Sequence, residues 1–171
     1  MNKTKHILIS ASLLIILAII LIPAKSDIQE YHSDKDYSDI MANIQQGLID
    51  QGYEIEKVQA VNIGLAKAGF TIQPYKVIFF NPKHTLSAIH LKYPGFSALL
   101  PLSITVAKED EQVRIVSSPF KFLINAAPKQ DLRALVKIWK QHSHTIIVKA
   151  LKESATGFPL NKKLTKTDIH N

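Results

Sequence analysis

Residues 74–101 read PYKVIFFNPKHTLSAIHLKYPGFSALLP, and the rest of the chain is arranged around them. Lys76–Phe80 is a short run of mixed apolar, β-forming residues, the composition of an interior strand. Asn81-Pro82 then reads as a helix start: an asparagine cap, followed by proline at the first helical position, where its missing N–H goes unused anyway. The helix predicted over Pro82–Lys92 ends at the turn signal Tyr93-Pro94-Gly95. Ala98–Ala107 (ALLPLSITVA) opens a second strand. Proline cannot donate to a sheet ladder, so Pro101 predicts either an edge strand or a bulge.

Moving toward the C-terminus, Glu109-Asp110-Glu111 is a polar hairpin loop and Gln112–Ser117 the strand that returns from it. Pro119–Ala127 is apolar without a clear period, and a packed loop is expected there. From Pro128 the pattern is helical for about 25 residues, with Leu132, Leu135, Val136, Trp139, Ile146, Ile147, Ala150 and Leu151 on one face. Lys129, Arg133, Lys137, Lys140 and His144 line an adjoining stripe. Such a stripe is either the solvated flank of a packing helix or a surface that rests on anionic lipid.

Toward the N-terminus, Ile28–His32 can form a short strand. Ser33 with Asp36 three residues on resembles a capping box. Tyr37, Ile40, Met41, Ile44 and Leu48 follow at helical spacing, so Asp34–Gln51 is an amphipathic helix stopped by Gly52. Tyr53–Val61 alternates as a strand, and residues 62–69 form a short helical turn closed by Gly69. One domain over residues 27–154 accommodates all of these elements. Residues 155–171, polar and rich in lysine, read as a disordered tail.

Bulk composition narrows the classes. The chain has 171 residues, 46% hydrophobic and 20% charged, which is globular rather than disordered. It has no cysteine, so disulfides, thiolate metal sites and a cysteine nucleophile are excluded together. The net charge of +7 belongs to the two ends. Residues 27–128 carry nine basic and eleven acidic side chains, whereas residues 129–171 carry nine basic and three acidic. The body is therefore near neutral, and nucleic acid is not an expected partner.

Ile7–Ile22 is an unbroken apolar run, ILISASLLIILAIILI, preceded by Lys3 and Lys5. As a helix it would be about 24 Å long, short of a bilayer core of about 30 Å and slightly longer than a usual signal-peptide core. Residues 1–26 thus read as a cleaved leader or an uncleaved single-span anchor, its length and leucine/isoleucine content favouring the anchor. Positive charge before the run sets the domain on the exported side. The expected location is the periplasmic side of a bacterial-type cell envelope, with Ile7–Ile22 holding the chain to the inner membrane unless cleaved.

Catalytic signatures are missing from the sequence. No GxSxG surrounds a serine, and the six glycines form no phosphate-cradling loop. His142 and His144 lie two residues apart, and His84 and His90 six apart, so no pair has helical ligand spacing. No metal and no cofactor are expected.

With these pieces in order, the chain resembles the family catalogued as domain of unknown function 302, over about residues 28–153. The ordered set is Asn62-Ile63-Gly64-Leu65-Ala66-Lys67-Ala68-Gly69-Phe70, Pro74, Phe80-Asn81-Pro82, Leu100-Pro101-Leu102 and Ser118-Pro119. Three positions depart from the family pattern. Asn62-Ile63 replaces an Asp-His pair, Phe80 replaces a glycine, and Leu99 replaces an aspartate. The resemblance implies an α+β fold in which helices pack on one face of a small antiparallel sheet, as in the TATA-binding-protein type, in β-α-β-β-α-β-β-α order. It implies no known activity.

Polar family positions turned apolar, on an exported chain, point to a non-enzymatic domain that binds a small apolar ligand or a protein partner beside the inner membrane. Asn62, Asn81 and His84 are the polar residues nearest the family motifs and hence the candidate ligand-binding set. If the protein is an enzyme, these three must converge in one pocket. If it is a purely structural or interaction protein, its contact surface is the basic stripe or a strand edge beside Pro101.

Overall fold

The computed structural model of the chain describes residues 28–153. The apolar run Ile7–Ile22 and the tail 155–171 lie outside the described residues. Among the described residues, no helix is long and apolar enough to cross a membrane. The strands are β1 (Glu30–Ser33), β2 (Tyr53–Ala60), β3 (Tyr75–Pro82), β4 (Leu102–Glu109) and β5 (Gln112–Ser117). The helices are α1 (Tyr37–Asp50), α2 (Val61–Lys67), α3 (Leu86–Lys92), α4 (Pro94–Ser97), α5 (Phe120–Ala126) and α6 (Gln130–Lys152).

The strands form one antiparallel sheet in the order β1-β5-β4-β3-β2. Side chains alternate across a sheet, so register decides which residues share a face. Ile78 lies opposite Ile104, Phe80 opposite Leu102, and Val106 opposite Ile115. All six are essentially inaccessible and form the face toward the long helices. In β2 the register shifts between Ile55 and Lys57, leaving Glu56 as a bulge. That shift puts Val58, opposite Ile78, on the same face as Ile55, opposite Phe80, three residues away.

Helix α1 buries Ile40, Met41, Ile44 and Leu48 against this face. Helix α6 buries Leu132, Val136, Trp139, Ser143, Ile146, Ile147 and Ala150. The two helices contact closely at Gly47, where a Cβ would come within 2.9 Å of Ile146 Cγ2. Glycine is thus the residue that lets α1 and α6 approach. The opposite sheet face, with Val77, Phe79, Thr105 and Val116, is only half-buried. The fold is the expected α+β arrangement, an antiparallel sheet with its long helices on one face.

Four local expectations are corrected. Asn81 and Pro82 do not begin a helix; they end β3, because β2 continues opposite them as Glu54 and Tyr53. The ladder to β4 has already stopped at Phe80, so the missing Pro82 N–H interrupts nothing on that side. Helix α3 starts four residues later than expected, at Leu86. Strand β4 is interior, not an edge, and Pro101 sits one residue before its first paired residue, with a cis Leu100–Pro101 bond.

Residues 119–127 are not a loop: Phe120 and Leu123 are buried in α5, and Ala127 follows at the next turn. The cap of α1 is Asp36, whose Oδ1 accepts from the Ser38 and Asp39 amides at 2.7 and 3.2 Å, whereas Ser33 accepts from Lys35 N. Gly52 and Gly69 close their helices with φ of +78° and +89°, the left-handed region that glycine enters freely.

Candidate functional site

Near the family-like stretch, a surface cleft lies where α3 meets the start of α6. Helix α3 ends at Tyr93, whose N–H donates to Ile89 O at 2.8 Å, and Pro94 opens the next turn. This stop brings Lys92 and Tyr93 together beside Asp131, in the first turn of α6. Lys92 Nζ donates to Asp131 Oδ2 at 2.7 Å, and the Tyr93 hydroxyl donates to Oδ1 and Oδ2 at 2.9 and 2.7 Å. The Lys92 ammonium also lies 5.0 Å from the centroid of the Tyr93 ring.

The Lys92 ammonium and the Tyr93 hydroxyl hold the Asp131 carboxyl well below its ordinary value, at about 2. The hydrogen bond to Asp131, first, and the adjacent Tyr93, second, push Lys92 up. Both groups therefore keep their charge across the neutral range, and neither is poised to exchange a proton there. With side chains 63% and 57% exposed, the pair fixes α3 against α6 rather than adding much stability.

Below this pin is a cleft of about 300 Å³. Ala88, Ile89, Leu132 and Leu135 make its apolar wall, and Thr85, Lys92, Tyr93 and Asp131 complete it. Thr85 Oγ1 is buried there without a hydrogen-bond partner. On the other side of Lys92 and Tyr93 is a second hollow, about 460 Å³, lined also by Pro94, Gly95, Phe96, Leu99, Ala126 and Pro128. Leu99, where the family resemblance sets an aspartate, faces this hollow as hydrocarbon. A groove between α1 and α6 is smaller, about 200 Å³, and walled largely by Asn43, Gln46, Asp50, Gln51, Lys149 and Glu153.

The three residues singled out from sequence lie elsewhere. Asn81 is buried near the end of β3, where its Nδ2 donates to Glu56 Oε1 at 3.2 Å and its Oδ1 has no partner. His84 is exposed in the turn that follows. Asn62, in α2, also has a sheltered Oδ1 without a partner. It follows Ala60, which pairs with Lys76, whereas Asn81 pairs with Glu54. The five steps from Lys76 to Asn81 span about 17 Å, so Asn62 and Asn81 occupy opposite ends of the β2–β3 ladder. Asn81 and His84 are close along the chain; Asn62 is apart from both.

Two hydrogen bonds of α6 were not foreseen. Tyr53 OH meets His142 Nδ1 at 3.1 Å, and Tyr31 OH meets His144 Nδ1 at 2.7 Å. Burial pushes both tyrosine hydroxyls up, so both stay protonated, and the histidine tautomer decides which partner donates in each bond. Because Tyr53 is on β2 and Tyr31 on β1, the two bonds tie the flanks of α6 to opposite sheet edges. Helical phase already separated the two histidines; their strand partners needed tertiary structure. Among the described residues, no group of three or more His, Asp or Glu side chains could hold a metal ion.

The architecture and cleft define a small open-faced α+β domain with an apolar hollow between two helices. The chain belongs to the family described as domain of unknown function DUF302, which it matches over residues 29–153. It is similar in structure to an uncharacterized conserved DUF302 protein from Bacillus stearothermophilus, with a TM-score of 0.65 at 10% identity. That likeness covers 72% of this chain and 97% of the other, and establishes the fold. No curated protein matches the sequence.

Proposed function

We propose that this is an exported, non-enzymatic domain that binds a small, largely apolar ligand in the cleft between α3 and α6, beside the membrane its N-terminal segment addresses. The observation that carries the reading is the cleft's chemistry: an aliphatic wall with one buried, unpartnered hydroxyl, that of Thr85. Ligand sites combine apolar lining with a few polar groups that fix orientation, at volumes from about 300 Å³ upward. Thr85 supplies the orienting group, and the pinned Lys92, Tyr93 and Asp131 form a charged rim. Proton-transfer chemistry is disfavoured because the rim groups satisfy one another.

Asn62, Asn81 and His84 contribute least in this reading, since the ladder separates Asn62 from the other two. The export segment Ile7–Ile22 is what gives the ligand its setting, near lipid rather than in the cytoplasm.

The test is a thermal-shift titration of the full chain with decanoate and with decanol, against hexanediol as a polar control. Stabilisation by decanoate or decanol that is lost in Ala88→Trp, which fills the cleft mouth, supports the reading. No stabilisation, or stabilisation unchanged in Ala88→Trp, overturns it.

A further inference from the structure

The basic stripe predicted on the last helix is present as a single flank of α6. Taken at 100° per residue, Arg133, Lys137, Lys140 and His144 fall within about 60° of one another, and Lys129 precedes them as the residue just before the helix. Lys129, Arg133 and Lys137 are exposed and Lys140 is half-buried. Among the described residues, none of the four cations has a carboxylate partner. Asp131 of α6 is committed to Lys92 and Tyr93 on the other flank. Glu30 alternates away from Tyr31, which bonds His144, and pairs with His32 and Arg114 at 3.3 and 3.6 Å.

The chain enters the domain against this same flank. Gln29, just before β1, shares a notch of about 250 Å³ with Lys137, Lys140, Gln141 and His144. Its carbonyl accepts from Ser117 N at 3.1 Å, which fixes the entry point to the sheet. Ile28 before it is 49% exposed. Ile22, the last residue of the apolar run, is six residues from Ile28, and six residues span at most about 21 Å when extended. A chain held in a bilayer by Ile7–Ile22 would therefore place the flank next to the lipid surface, at a distance where its charge matters.

We propose that the Lys129–Arg133–Lys137–Lys140 flank of α6 docks on anionic phospholipid headgroups and sets how the domain lies on the membrane. Rings of lysine and arginine near a lipid surface gain attraction that grows with each cation and weakens with salt. The notch beside Gln29 admits a headgroup phosphate between Lys137 and Lys140. The inference rests on the reading of Ile7–Ile22 as a membrane-held segment and is independent of what the cleft binds.

The absence of cysteine makes a site-specific test direct. Gln141→Cys on the flank and Lys57→Cys on β2, at the far sheet edge, each take one thiol-reactive fluorophore. The labelled full chain is reconstituted into phosphatidylcholine vesicles with or without phosphatidylglycerol, each carrying a headgroup-level quencher. We expect quenching at position 141 to be at least about threefold greater with phosphatidylglycerol, to fall in high salt, and to be lost when Lys129, Arg133, Lys137 and Lys140 are all glutamine. Position 57 should respond to none of these. Soluble glycerophosphate at matched ionic strength should leave the signal intact.

Equal quenching at 141 in both vesicle types, or the same response in the glutamine variant, overturns the proposal. Release by glycerophosphate overturns the lipid-surface assignment. A chain that does not float with vesicles at all refutes the membrane-held segment, and the docking with it, while leaving the cleft reading untouched.

Discussion

Replacing Gly47 by alanine tests the helix pair on which the domain is built. Gly47 is inside α1, so alanine gains about 1 kcal/mol of helix propensity. Its new Cβ would stand 2.9 Å from Ile146 Cγ2, with Cγ1 and Cβ at 3.5 and 3.6 Å. Ile146 is β-branched and 3% exposed, so it cannot swing a flexible end aside. Overpacking of this kind costs about 1–3 kcal/mol. The net is a loss of about 0–2 kcal/mol.

Gly64 in α2 supplies the matched control: nothing lies within 4 Å of its Cβ position, and alanine there should stabilise by about 0.5–1 kcal/mol. Urea unfolding followed through Trp139, the single tryptophan and buried in α6, measures both changes. In an Ile146→Ala background, itself costing about 2–5 kcal/mol, Gly47→Ala should turn stabilising because the obstructing methyls are gone. A Gly47→Ala variant as stabilised as Gly64→Ala, or one indifferent to the residue at 146, would refute the packing argument.

Thr85→Val keeps shape but removes the unpartnered hydroxyl, so unfolding should become harder by about 1 kcal/mol while binding of a polar-headed amphiphile weakens. Stability and affinity measured together must move in opposite directions. Asp131→Asn should lower Tm at neutral pH. The Asp131 carboxyl is depressed to about 2 in the folded state, so its contribution is present above the ordinary carboxylate value and disappears as pH falls through about 2. The Tm gap between wild type and Asp131→Asn should therefore close between about pH 4 and pH 2; a constant gap contradicts the pin. Tyr53→Phe removes the hydroxyl hydrogen-bonded to His142 and should cost about 1 kcal/mol in the same urea assay, with the His142 side-chain NMR signal shifting.

Most of the sheet could be read from alternation, because a strand with one buried face writes its period into the chain. Even the three-residue gap between Ile55 and Val58 in β2 recorded the bulge at Glu56. What failed were local signals that a neighbouring strand overrode. Asn81-Pro82 is good helix-start chemistry, yet Tyr53 and Glu54 lie opposite and keep both residues in the sheet. Pro101 does lie outside the ladder, but only by one residue, which sequence could not resolve. Helix α5 had a legible signal, since Phe120, Leu123 and Ala127 recur at helical spacing.

The cleft was not legible. Thr85 and Ile89 are some forty residues from Leu132 and Leu135, and each of the three apolar residues has an ordinary packing explanation in its own helix. Only the docking of α3 on α6, pinned by Lys92, Tyr93 and Asp131, brings them together. Asn62, Asn81 and His84 are the polar residues nearest the family motifs, but motif order along a sequence carries no information about which end of a ladder a residue occupies.

Methyl NMR of the full chain during titration with decanoate tests the central claim most directly, because Thr85, Ala88, Ile89, Leu132 and Leu135 each place a methyl in the cleft wall. The account predicts saturable shifts concentrated on these five residues and abolished in Ala88→Trp. Shifts centred instead on Ile146 and Ala150 in the α1–α6 groove, or no saturable shift at all, would contradict it.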